Sequence, residues 1–231
     1  MDAIRENLQR IRDRIRNACG RAERDPDAVR LIAVSKTVAP ERIRQAAAVG
    51  LNVFGENYVQ EALGKMDSLG DLNLEWHFIG HLQTNKVKQA VPHFHWIQTV
   101  DRVKLAREID RRAEALGKSM PVLLQVHLGG EVTKAGVDPE DLPDLFEEVS
   151  RMSCLEVRGL MTLPPYLEDP EEVRPYFRQL RRLLEVLRDR ASEPERLTEL
   201  SMGMSHDFEV AIEEGATMVR VGTALFGPRR P

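Results

Sequence analysis

The 231-residue chain has only two cysteines, Cys19 and Cys154, and no C-x-x-C pair, which excludes a disulfide framework and a thiolate metal site. Aromatic residues are sparse at 5%, and no apolar run approaches the roughly 20 residues that a membrane span needs. The N-terminus carries Ile4, Leu8, Ile11 and Ile15 at helical spacing and lacks the apolar stretch of a signal peptide. A cytoplasmic protein is expected. An excess of positive charge is also missing: 33 Lys and Arg against 37 Asp and Glu give a net charge of −4, too little basic surface for general nucleic-acid binding. The basic run from Arg10 to Arg16 is interrupted by Ile11 and Ile15, so it reads as the solvated face of an amphipathic helix. The pairs His77/His81 and His93/His95 lack a third ligand, and no metal is expected.

What is present is an alternation. With 42% hydrophobic and 30% charged residues the chain is an ordinary globular sequence, and after a first helix from about Ala3 to Arg21 it repeats a short β-branched run followed by a helical segment. The strand-like runs are Arg30 to Ser35, Asn52 to Phe54, Glu75 to Ile79, Trp96 to Thr99, Val122 to Val126, Val157 to Met161, Glu199 to Ser201 and Met218 to Val221. Helical segments begin near Pro40, Glu56, Asn85, Arg102, Pro139, Pro170 and Asp207. Strict β/α alternation implies parallel strands with right-handed crossovers, and eight repeats favour closure. No G-x-G-x-x-G follows the first run, which counts against a dinucleotide-binding sheet. The expected fold is therefore one (β/α)8 TIM-type barrel domain over residues 1–231, with an extra N-terminal helix.

Such barrels place their chemistry at the C-terminal ends of the strands. Lys36 ends the run Leu31-Ile32-Ala33-Val34-Ser35, and period-2 alternation sets it on the same side as Ile32 and Val34, inward if those two fill the barrel. A strand-end lysine reaching solvent is the plain alternative. Held inward, it loses hydration, and desolvation favours the neutral amine that attacks a carbonyl to give a Schiff base. Barrels also bind phosphate through the loops after strands seven and eight. Here those loops read Ser201-Met202-Gly203-Met204-Ser205 and Gly222-Thr223, with hydroxyls and glycines in both. Arg220, in the last strand, is costly to bury without a partner. That partner is either a cofactor, such as a pyridine nitrogen, or a buried carboxylate such as Glu56.

The segments AVSKT around Lys36, FGENYVQE from Phe54, WHFIGHLQTNK from Trp76, GLMTLP from Gly159 and SMGMSHDFEVAIEEGATMVRVGTALFG from Ser201 closely resemble the pyridoxal phosphate homeostasis protein family. That family looks like the N-terminal barrel of alanine racemase, a fold-type III barrel for pyridoxal 5′-phosphate. The resemblance implies that Lys36 forms the Schiff base, that Arg220 faces the ring nitrogen, that Ser201, Ser205, Gly222 and Thr223 surround the phosphate, and that Asn57 lies beside the cofactor. The loop after the fifth strand departs from the family's Asn-x-Ser-x-Glu-type run, reading His127-Leu128-Gly129-Gly130-Glu131 while keeping Glu131, Lys134 and Gly136. Lys134 is a second amine to consider near the barrel mouth, with a solvent-exposed loop lysine as the plainer reading.

The function so implied is non-catalytic: intracellular pyridoxal phosphate (vitamin B6) homeostasis, with apo pyridoxal-phosphate enzymes as recipients, an indirect effect on amino-acid and keto-acid balance, and a monomer more in keeping than a dimer. The runner-up is an amino-acid racemase. That reaction asks for an acid/base group on each face of the substrate, supplied in alanine racemase by a tyrosine of a second domain. Only Tyr58, Tyr166 and Tyr176 occur here, none in a matching motif. A lysine-dependent aldolase explains Lys36 and the phosphate loops and leaves Arg220 without a role.

Overall fold

The computed structural model describes residues 2–129 and 135–228. The strands β1 (Arg30–Val34), β2 (Val53–Glu56), β3 (Glu75–Phe78), β4 (Trp96–Val100), β5 (Met120–Val126), β6 (Leu155–Thr162), β7 (Glu199–Met204) and β8 (Met218–Val221) run parallel in chain order and close into a barrel. Around them lie α1 (Asp2–Arg21), α2 (Pro40–Ala48), α3 (Val59–Ser68), α4 (Val87–Ala90), α5 (Val103–Glu114), α6 (Leu142–Ser150), α7 (Arg174–Arg190), α8 (Phe208–Glu213) and α9 (Thr223–Phe226). β8 closes on β1 with Ile32 opposite Arg220. The alternation in the sequence is thus a closed (β/α)8 barrel, with α1 added before it.

The helices cover the barrel because their apolar residues recur at helical spacing. α5 buries Leu105, Ala106, Ile109 and Ala113, and α7 buries Phe177, Leu180, Leu184 and Leu187. α1 buries Ile4, Leu8, Ile11 and Ile15 and is tied to the last two helices, where Asn7 donates to the Leu225 carbonyl (2.9 Å) and Arg14 pairs with Glu209 (2.7 Å). Its basic face therefore serves partly as a tether. Inside the barrel a smaller cluster, Ile32, Val53, Leu123, Met161 and Met218, fills the lumen against Trp96. Each such fully buried side chain contributes roughly 1.5–3 kcal/mol.

Beside this cluster runs a polar relay whose hydrogen bonds point in one direction. Arg220 donates to Ser201 Oγ (2.6 Å), Ser201 donates to Gln98 Oε1 (2.7 Å), and the Gln98 amide meets His77 Nδ1 (2.8 Å). Nδ1 is then an acceptor, so the proton sits on Nε2 and is donated to Glu75 Oε1 (2.8 Å). Burial pushes the His77 imidazole below its usual range, against the opposing pull of Glu75. A depressed native pKa means that the unfolded chain binds the extra proton, so stability is full above the unfolded value of about 6.5 and falls below it by up to about 1.4 kcal/mol per pH unit. Urea unfolding at pH 7.5 and 5.5 should show that loss, and imidazole NMR should find His77 still neutral at pH 6.5. A His77 midpoint at or above 6.5 would contradict this assignment.

Several boundaries differ from the sequence reading: the helix expected from Pro139 starts at Leu142, and Pro170 opens a 3-10 turn ahead of α7. β2 continues through Glu56, where a helix start was expected, because Lys65 of α3 reaches back to neutralise that carboxylate at 2.7 Å. β7 continues to Met204, so Ser201 lies within a strand and not in a loop. A β-bulge between Ser201 and Met204 allows this, with Gly203 at φ +90 and its missing Cβ's place only 2.6 Å from Ala211 Cβ. The helix expected from Asn85 is a 3-10 turn, Thr84–Lys86, followed by the single turn α4. Gly130, Glu131 and Lys134 fall outside the described residues. Among the described residues no helix is long and apolar enough to cross a membrane, and no three His, Cys, Asp or Glu side chains gather as a metal site.

Candidate functional site

The C-terminal strand ends open on a cavity of about 570 Å³. That is an ordinary size for a small-molecule pocket. Its apolar walls are Val34, Ile79, Leu163 and Met204, and its polar lining comprises Lys36, Asn57, Tyr166, Ser205, His206, Arg220, Gly222 and Thr223. Of the residues singled out from sequence, Lys36, Asn57, Ser205, Arg220, Gly222 and Thr223 are brought together here. Ser201 is not. It is fully buried, accepting from Arg220 and donating to Gln98, so its hydroxyl supports Arg220 from below.

Lys36 is half-buried in the turn that leaves β1, with Ile32 in the inner cluster and Val34 in the cavity wall on its side of the strand. The turn is closed by the Val38 N–H donating to the Ser35 carbonyl (2.9 Å), and its third residue, Thr37, has φ +62. A β-branched residue there stores about 1–3 kcal/mol of backbone strain. The turn is held from both flanks. Ser35 Oγ donates to Glu56 Oε1 (2.6 Å), and the Thr37 N–H donates to Glu61 Oε1 (2.6 Å). The buried Lys65 ammonium donates to the Ser35 carbonyl (2.6 Å), Glu56 Oε1 (2.7 Å) and Glu61 Oε1 (2.6 Å), using all three of its protons.

Arg220, 3% exposed, uses two of its five donors on Ser201 Oγ and the Thr162 carbonyl (2.8 Å). Burial lowers its pKa to about 10, with Asp207 opposing the shift, so the guanidinium stays protonated at neutral pH and can only donate. The carboxylate partner considered from sequence, Glu56, is engaged elsewhere, with Lys65 and Ser35. Asp207 accepts from the Met204 N–H (2.6 Å) and so fixes the turn that presents Ser205. The Ser205 hydroxyl in turn accepts from the N–H groups of Gly222 and Ala224, each at 3.3 Å, joining the two turns that were expected to bind phosphate. At Asn57 the side-chain Oδ1 is buried without a hydrogen-bond partner among the described residues. A buried acceptor without a partner calls for an explanation, and Asn57 also lines the cavity.

Residues 1–230 match the model of the alanine racemase N-terminal domain. The chain belongs to this family. Among members of known name, the pyridoxal phosphate homeostasis protein of Aquifex aeolicus (strain VF5) is 54% identical over 225 residues, 97% of this chain and 98% of that one. The protein of the same name from Pseudomonas aeruginosa is 47% identical over 229 residues, covering 99% and 97%. The solved structure of PipY from Synechococcus elongatus PCC7942 with PLP bound superposes with a TM-score of 0.86 at 44% identity, covering 97% of this chain and all of that one.

Within this racemase-type barrel the sequence reading passed over several residues at the mouth. Tyr166, 71% exposed, leans on His206 with ring centroids 5.1 Å apart, and both line the cavity. His206 follows Ser205 directly, which was the available signal. Tyr166 lies in an irregular loop after β6, where no periodicity points to it. Lys65 and Glu61 stand four residues apart on α3, the spacing of any surface ion pair, so nothing local marks Lys65 as buried. The histidine pairs serve separate purposes: His77 belongs to the lumen network, and His95 Nδ1 accepts from the Trp76 N–H (3.0 Å).

Proposed function

We propose that this protein holds pyridoxal 5′-phosphate in the barrel-mouth cavity as a Schiff base on Lys36, and that it stores and passes on the cofactor in the cytosol without turning over a substrate. The observation that carries the reading is the convergence, on one cavity, of an amine, a buried cation that can only donate, an orphaned acceptor and a pair of cross-linked turns bearing N–H and hydroxyl groups. The names of the relatives and PLP bound in PipY support the same cofactor.

Each group has a task that its chemistry suits. When bound, the cofactor would supply an aldehyde, and the Lys36 amine would be the nucleophile that condenses with it, the carbonyl oxygen leaving as water. Ser205 with the Gly222–Thr223 turn offers donors to the phosphate, and Asn57 Oδ1 accepts from a donor on the ligand. Arg220 donates to the ring nitrogen. A protonated guanidinium keeps that nitrogen unprotonated, which weakens the ring as an electron sink and favours carriage over carbanion chemistry. Val34, Ile79, Leu163 and Met204 offer apolar surface on which a pyridine ring would pack. Apo pyridoxal-phosphate enzymes are the recipients in this reading, and an effect on amino-acid and keto-acid balance follows indirectly.

The test pairs binding with turnover. Pyridoxal phosphate added to the cofactor-free protein should give the absorbance of a protonated lysine imine at one equivalent, whereas racemase, transaminase and decarboxylase assays on common amino acids should stay at background. Robust stereoinversion of alanine or serine, lost in Lys36→Ala, would replace this reading with the racemase one.

A further inference from the structure

We propose that Lys65, acting with Glu61, is a positioning residue for Lys36, clamping the strained turn on which Lys36 sits so that its amine is aimed into the cavity. The proposal rests on the cofactor reading above and adds to it a group that does not line the cavity.

Lys36 is followed by a residue in the wrong conformational region for its type: Thr37 at φ +62 occupies the turn position where glycine or asparagine is usual. Left alone, a Ser35–Val38 turn of this sequence would relax toward negative φ at Thr37 and rotate the Lys36 Cα–Cβ direction with it. Four bonds oppose that relaxation. The Ser35 carbonyl and hydroxyl are held by Lys65 and Glu56, and the Thr37 N–H is held by Glu61, whose same oxygen binds Lys65. Lys36 therefore sits between two fixed peptide units, and Lys65, 5% exposed with Glu56 at 0% beneath it, bonds both to the Ser35 carbonyl and to the Glu61 carboxylate that holds Thr37. Burying a cation and a carboxylate is costly in desolvation, and a well-packed apolar pair would fill the same space without that cost. A buried ammonium with all three protons committed, two of them to the groups that hold the turn, is a device for orientation.

Pyridoxine 5′-phosphate provides the control, because it has the ring and the phosphate but an alcohol in place of the aldehyde and cannot bond covalently to lysine. The ratio of its dissociation constant to that of pyridoxal 5′-phosphate measures what the bond to Lys36 adds. Lys65→Met and Glu61→Ala should each shrink that ratio by at least about tenfold, since misaiming a reacting group by an ångström costs that much or more. Binding of pyridoxine 5′-phosphate should stay within about twofold of the unaltered protein, as the phosphate turns and Arg220 are untouched. Adding Thr37→Gly to Glu61→Ala should recover most of the ratio, because glycine adopts the turn without a clamp. Lys65→Met leaves Glu56 buried without its cation, so if that variant does not fold, Glu61→Ala, which keeps the Lys65–Glu56 pair, decides. An unchanged ratio in Glu61→Ala, or equal weakening of both ligands, would overturn the proposal. Failure of the unaltered protein to bind either ligand would instead remove the cofactor reading on which it stands.

Discussion

Replacing Lys36 with alanine is expected to abolish covalent retention of pyridoxal 5′-phosphate and to leave a protein that melts within about 2 °C of the original, the range of an ordinary surface change. The size of the first effect comes from chemistry. Among the side chains lining the cavity, Lys36 is the sole primary amine within the described residues, and no other lining group forms an imine. The smallness of the second comes from position. Lys36 is half-buried in a turn, outside both hydrophobic clusters, and the bonds that hold the turn are made by Ser35, Thr37 and Val38. Phosphate-dependent, non-covalent binding should survive in the variant. An absorbance titration with a parallel melting curve checks both halves. A variant that keeps the imine band, or one that collapses, would show that Lys36 has been misassigned.

Arg220→Leu should weaken pyridoxal phosphate binding by about one to two orders of magnitude, the loss of a charged hydrogen bond worth roughly 1.5–3 kcal/mol. Its cost to folding is expected to be small because the change removes opposing terms together. The Thr162 carbonyl loses its donor, and Asp207, whose carboxyl is already pushed up by burial, loses a favourable charge. Against this, a guanidinium 3% exposed no longer has to be desolvated, and Ser201 still donates to Gln98. A net change of no more than about 2 kcal/mol follows. Had Glu56 been the partner, the same substitution would strand a buried carboxylate and cost about 3–5 kcal/mol. The structure gives Glu56 to Lys65 instead. Affinity and apo melting temperature measured on one preparation separate the two cases. Unchanged affinity with a collapsed melting temperature would sink the cofactor role of Arg220.

The fold was legible where local pattern and tertiary context agree. Met218 to Val221 reads as a strand and is one, and the inward side of Lys36 followed from the two-residue period through Ile32 and Val34. The pattern failed where a residue's place depends on a distant partner. Glu56 looks like a helix start because carboxylates favour helix N-termini, and only Lys65, folded back over it, allows it to end a strand. Ser201-Met202-Gly203-Met204 looks like a loop because of its glycine and serine, yet Gly203 takes φ +90 to carry a bulge and keep the strand going. This removed Ser201 from the cavity and placed it under Arg220. The lumen relay from Arg220 to Glu75 was invisible for the same reason, since its members come from four separate strands and are neighbours only once the barrel closes.

Borohydride reduction of the protein loaded with one equivalent of pyridoxal 5′-phosphate, followed by peptide mapping, tests the central claim most directly. Reduction converts the imine to a stable secondary amine and so records which lysine held the cofactor. The account predicts a single modified peptide carrying the label on Lys36. Label found mainly on Lys134 or another lysine, or protein left unlabelled at saturation, would contradict it.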